Sequence, residues 1–153
     1  MDLSHLNLLP EWKDRLAKED EDEAWKLQAA EAAYTQWREV FGLVMAFAEI
    51  LPEEEEEGLG TKSMIYQNAS VVAPKIISAS GDTLYQIKME NAALIRFNCR
   101  QLWEQSAFAT LKGEADVAYK IPIEEALAKF KKLFRNWVAT FKRDDYEDEW
   151  GLF

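Results

Sequence analysis

Between residues 30 and 51 the apolar side chains fall at Ala30, Ala33, Trp37, Val40, Val44, Phe47 and Leu51, alternately three and four residues apart. That spacing lays one stripe down an α-helix, the seam by which helices pack on one another. Phe41, Met45 and Ala48 widen it, as a helix buried in a bundle requires. The acid run Glu19 to Glu23 marks the start, where negative charge suits the positive helix end, and Leu51-Pro52 marks the stop. A second helical pattern, Ile65, Ala69, Val72, Ile76 and Ala79, spans 61–80 and predicts a kink or fresh start at the interior Pro74. Gly81 and Asp82 then suggest a stop and a new N-cap, so a break near 80–82 is expected. The apolar phase barely resets there, which leaves one long kinked helix over 62–110 as the alternative.

The third helix, 82 to about 111, has an expected core seam of Leu84, Ile87, Leu94 and Phe108. Asn91, Asn98 and Gln105 recur at sevens between them, the pattern of buried polar layers that set helix register. Lys112 to Asp116 interrupts, and the last helix is expected to open at Pro122, a residue favoured in a first turn. Its stripe is Ile123, Leu127, Phe130, Phe134, Trp137, Val138 and Phe141, with Lys and Arg over much of the rest. The expected architecture is all-α: a four-helix up-and-down bundle with long helices. It occupies a single domain, 1–153, with an N-terminal arm or short helix over 1–18 carrying Leu3, Leu6, Leu8, Leu9, Trp12 and Leu16.

Charge changes this picture only locally. The net charge is -10, but 15 of the 28 acids sit in three blocks: 19–23, 53–57 and 144–149. The remaining chain holds 13 acids against 18 Lys and Arg and is mildly basic. Overall repulsion from phosphates argues against nucleic acid as a partner. No apolar run approaches the ~20 residues of a membrane span. The first 15 residues have no basic-then-apolar signal pattern. Cys99 is the single cysteine and has no intrachain partner for a disulfide. A cytoplasmic location is the expectation.

Candidate chemistry is sparse. Gly58 to Ser63, "GLGTKS", lacks the Gly-Lys of a phosphate loop and follows a glutamate run. One histidine, His5, and one cysteine leave no nitrogen–sulfur metal set. Glu31, Glu39, Glu49, Glu90 and Glu104 do not form the paired carboxylates of an all-helical Mg²⁺ site, so no metal or cofactor is expected. The densest polar cluster is "MENAALIRFNCRQ" on the third helix. Arg96 and Arg100 are four residues apart and share a helix face, so two guanidinium forks could grip one anion. Glu90 and Asn91 complete the candidate ligand site. The structural alternative for this cluster is interhelical hydrogen bonding, with salt bridges to Glu31, Glu39 or Glu49.

The chain closes on "DDYEDEWGLF", five acids followed by Trp150, Gly151, Leu152 and Phe153. Disorder accounts for the acids but not for the apolar end. Trp150, Leu152 and Phe153 are expected either to dock on their own bundle or to serve as anchors in a partner's pocket. The segments "MENAALIR" and "DEWGLF" together resemble a family of uncharacterised bacterial helical proteins with such a segment and such an ending. The resemblance implies a bacterial, cytoplasmic protein and no activity. The leading functional expectation is a non-enzymatic protein-interaction or oligomerisation module, with a homo-oligomer or a protein partner. The rival is a small-molecule or anion-binding bundle, an enzyme among its variants, built on Glu90, Asn91, Arg96 and Arg100.

Overall fold

The computed structural model describes residues 21–53, 60–81 and 84–152, with side chains from residue 26 onward. The expected arm over 1–18, most of the second acid block and Phe153 lie outside the described residues. Four helices follow in order: α1 (Glu21–Glu49), α2 (Thr61–Ala79), α3 (Tyr85–Leu111) and α4 (Val117–Val138). Each packs on its two neighbours around a ring, α1 on α2 and α4, α3 on α2 and α4. The chain is therefore the all-α four-helix bundle that the patterning predicts.

In α1 every residue of the predicted stripe is buried, from Ala30 and Trp37 to Phe47 and Leu51. The stripe of α2 is buried as expected too, and α2 runs unbroken through Pro74 rather than restarting there. Pro74 stands on the exposed side, where water can take the carbonyl its missing N–H leaves free. The break falls where Gly81 suggested: α2 ends at Ala79, and Ser80 Oγ donates to the Ile76 carbonyl at 2.6 Å. Helix α3 closes with Gly113 at φ +75, a backbone region that glycine enters without penalty. Glu114 N–H then reaches the Ala109 carbonyl at 3.0 Å and Gly113 N–H the Thr110 carbonyl at 3.1 Å, satisfying the last turn. Helix α4 begins five residues before Pro122, at Val117. The Asp116 carboxylate caps it by accepting from Ala118 N–H at 2.8 Å, which is a stronger start signal than the proline.

Two interfaces dominate, and they are built from different side chains. Between α1 and α4 the contact is aromatic. The Trp37 ring meets Phe130 edge-on at 5.6 Å and Phe41 at 6.4 Å. The line continues along α4 from Phe130 to Phe134, Trp137 and Phe141, with centroids 5.1–5.9 Å apart. Between α2 and α3 the buried faces carry many small residues, Ala69, Ala73 and Ala79 on one and Ala92, Ser106 and Ala109 on the other. Small residues let two backbones approach closely, and this is the most extensive helix pairing in the protein. The α3–α4 pairing is the least extensive of the four.

Helix α3 corrects the predicted seam. Leu84, Ile87, Leu94 and Phe108 lie on the outside, and the buried face holds Asn91, Ala92, Ile95, Asn98, Leu102, Gln105, Ser106 and Ala109. The polar layer is inside as expected, but it does not bridge helices. Asn91 Nδ2 donates to the Ile87 carbonyl at 2.9 Å and Asn98 Nδ2 to the Leu94 carbonyl at 2.8 Å, both within α3. Gln105 is only 8% exposed, and neither its Nε2 nor its Oε1 has a hydrogen-bonding partner among the described residues. An orphaned buried amide costs about 1–3 kcal/mol. Gln105→Leu keeps the volume and removes both polar atoms. It should raise the thermal midpoint by several degrees, measured by calorimetry on the full chain. A lower midpoint would mean that the amide is satisfied in solution.

Candidate functional site

The weak α3–α4 seam opens into a groove of about 820 Å³. That lies within the ~300–1,000 Å³ range of pockets that take small ligands or clusters of side chains. Its floor is apolar: Ile95, Cys99 and Trp103 from α3, with Leu127, Phe130 and Phe134 from α4. The floor exists because α4 turns Phe130 toward Trp37 of α1, so that α3 meets only the flank of α4's aromatic row.

The rim is charged. Arg96 and Arg100 stand on the α3 side, Lys131 and Arg135 on the α4 side, with Glu104 and Glu124 also lining the groove. Both cation pairs are four residues apart, so each projects from one helix face toward the same opening. Each acid has a near neighbour in sequence, and Glu104 keeps its negative charge on the rim. Glu124 pairs with Lys120 at 3.0 Å, and Glu104 accepts from Gln101 Nε2 at 3.2 Å. None of Arg96, Arg100, Lys131 or Arg135 has an ion-pair partner among the described residues. The expected bridges from Arg96 and Arg100 to Glu31, Glu39 or Glu49 therefore do not form, and Glu39 accepts from Gln36 instead. Four cations against two carboxylates leave the rim net positive, an attraction for anions that salt screens at this exposed opening.

The predicted cluster on α3 is divided by the helix. Arg96 and Arg100 reach the groove. Asn91 is buried and occupied with its own backbone, and Glu90 is exposed but does not line the groove. Glu90 and Arg96 are six residues apart, which puts them on different faces. Lys131 and Arg135 belong to the site, although the sequence reading treated them as part of a general basic face. No group of three or more His, Cys, Asp or Glu side chains placed to hold a metal ion occurs among the described residues.

Among the described residues, the C-terminal segment meets the bundle at its base. Asp144 Oδ2 accepts from Tyr85 N–H at 3.0 Å, and Lys88 Nζ lies 5.6 Å from the Phe141 ring. Trp150 is 80% exposed and Leu152 68% exposed. Neither of these two side chains docks on the bundle, and Phe153, the other anchor of that expectation, lies outside the described residues. No helix among the described residues is long and apolar enough to cross a membrane.

Burial in the floor pushes the Cys99 thiol up to about 12. The reactive form is the thiolate, which at pH 8 is then rarer by roughly a thousandfold than in the unfolded chain. Greater intrinsic nucleophilicity recovers part of that loss. Alkylation by iodoacetamide at pH 8 should thus run at least ~30-fold slower in the folded chain than in guanidinium. Equal rates would show an open, ordinary thiol. Comparison with known protein families, with curated proteins and with solved structures finds no match for this chain.

Proposed function

We propose that the protein is a non-enzymatic interaction module whose α3–α4 groove receives an acidic segment anchored by aromatic or aliphatic side chains. The observation that carries this reading is the pairing of an apolar floor with four cations that lack ion-pair partners among the described residues. A ligand answering that surface needs an apolar body for Ile95, Leu127 and Phe134. It also needs carboxylates for Arg96, Arg100, Lys131 and Arg135. An acidic-aromatic protein segment has both. A purely apolar partner would leave the rim unanswered, and a bare anion would leave the floor wet. Burial holds the Cys99 thiol well above its usual range, which weighs against its use as a nucleophile. The rival small-molecule reading survives only in part, because Glu90 and Asn91 do not join Arg96 and Arg100 in the groove.

The probe for this reading is 8-anilinonaphthalene-1-sulfonate, apolar rings with one fixed negative charge. It should bind the folded chain at one dominant site and weaken as salt rises. Arg96→Glu with Arg100→Glu should reduce affinity about tenfold, as should Lys131→Glu with Arg135→Glu, for rim pairs of roughly 0.5–1 kcal/mol each. Lys129→Glu with Lys132→Glu, on exposed positions that do not line the groove, is the control and should leave affinity unchanged. Equal binding by all three double variants would remove the groove as the site. Displacement of the probe by simple fatty acids but not by any acidic peptide would point to a small amphiphile instead.

A further inference from the structure

We infer that the occupant of the groove is the C-terminal segment of a second copy of this chain; the inference rests on the groove reading above. Three observations on the segment itself support it. First, it carries the complementary chemistry. Asp145, Glu147, Asp148 and Glu149, beyond the Asp144 that anchors the base, oppose Arg96, Arg100, Lys131 and Arg135, and Trp150 and Leu152 match the floor.

Second, its end is already folded for presentation. Asp148 Oδ1 accepts from Trp150 N–H at 2.9 Å and from Leu152 N–H at 3.2 Å. Gly151 N–H reaches the Asp148 carbonyl at 3.2 Å, and Gly151 sits at φ +69, where a side chain would be strained. This turn throws Trp150 and Leu152 outward on either side of the glycine. A ligand ordered before binding loses less freedom on docking. Third, its own body leaves Trp150 and Leu152 unused. Asp144 and Phe141 fix the base beside the first turn of α3, and the turn at 148–152 leaves both apolar side chains in solvent.

Each copy offers one segment and one groove, and the segment departs from the α3–α4 side of the bundle. Two copies exchanging segments reciprocally therefore close into a two-fold dimer, with no groove left open for further growth. Because the exchange pairs acids with cations at the surface, raised salt should weaken it.

The test is the oligomeric state of the full chain by sedimentation equilibrium, at about 50 mM and about 500 mM salt. The expected result is a dimer at low salt that loosens at high salt. Trp150→Ala with Leu152→Ala should weaken it at least tenfold, and so should Arg96→Glu with Arg100→Glu, as expected for anchor residues. Mixing those two double variants should restore a heterodimer, because one keeps an intact groove and the other an intact segment. That rescue also guards against variants that merely fail to fold. A synthetic peptide of residues 144–153 should bind the Trp150→Ala, Leu152→Ala chain and displace 8-anilinonaphthalene-1-sulfonate from it. A monomeric full chain with a peptide that does not bind overturns the inference, and leaves the groove reading standing if the probe still binds. A dimer untouched by the segment substitutions overturns it in favour of another face, such as the exposed Leu94, Phe97 and Phe108 on α3. A monomer whose probe binding strengthens when Trp150 and Leu152 are removed overturns it in favour of docking within one chain.

Discussion

The contact of Trp37 with Phe130 sets the shape of everything around it. Large rings on α1 and α4 must stack edge to face, and they hold those helices at the spacing that ring size demands. The buried faces of α2 and α3 carry no aromatic ring and intersperse alanines and a serine with Ile65, Val72, Ile76, Ile95 and Leu102, so those helices can come closer. A ring of four helices with unequal spacings cannot close every seam equally. The aromatic row of α4 is committed to α1, the small-residue face of α3 to α2, and the mismatch collects between α3 and α4. The groove is thus a consequence of how two good interfaces were made.

Its chemistry follows from what the mismatch leaves uncovered. The flank of the aromatic row, Phe130 and Phe134, becomes floor, and Ile95 and Cys99 of α3 face it. Positions one helical turn apart on either side become rim, and each helix places two cations and one carboxylate there. In a tightly packed bundle these four cations would have repelled one another or been neutralised across the seam. Here they stand around a solvent-facing opening, and five of the protein's acids sit in the segment that follows α4. A chain of net charge -10 thus carries a local cluster of four cations at the groove, and the local field rather than the total charge is what a ligand meets there.

Much of the fold was legible. The α1 stripe from Ala30 to Leu51 and the α4 stripe around Phe130 and Trp137 lie where the three–four spacing put them, because large apolar residues there have one good face. Helix α3 was misread for the opposite reason. It has apolar residues on two flanks, Ile87, Leu94 and Phe108 on one and Ile95 and Leu102 on the other, with asparagines between. The larger side chains suggested the wrong flank. The right one was chosen by the small residues Ala92, Ser106 and Ala109, which matter only once a close neighbour is known. Asn91 and Asn98 could be inside without interhelical partners because their own helix supplies carbonyls. For the site, Arg96 and Arg100 were readable as a pair, but Lys131 and Arg135 have the same spacing on the next helix. Two such pairs on adjacent antiparallel helices were a signal that the sequence contained. What it did not contain was the seam width that makes them face one opening.

The unequal seams can be tested by coupling energies. A double-mutant cycle on Trp37→Leu and Phe130→Leu should show about 0.5–1.5 kcal/mol of interaction beyond the single effects, as edge-to-face rings do. The matching cycle on Cys99→Ala and Leu127→Ala, across the groove, should show coupling near zero. Comparable coupling in both cycles would mean that α3 and α4 pack directly in solution, and the groove on which this account depends would not exist.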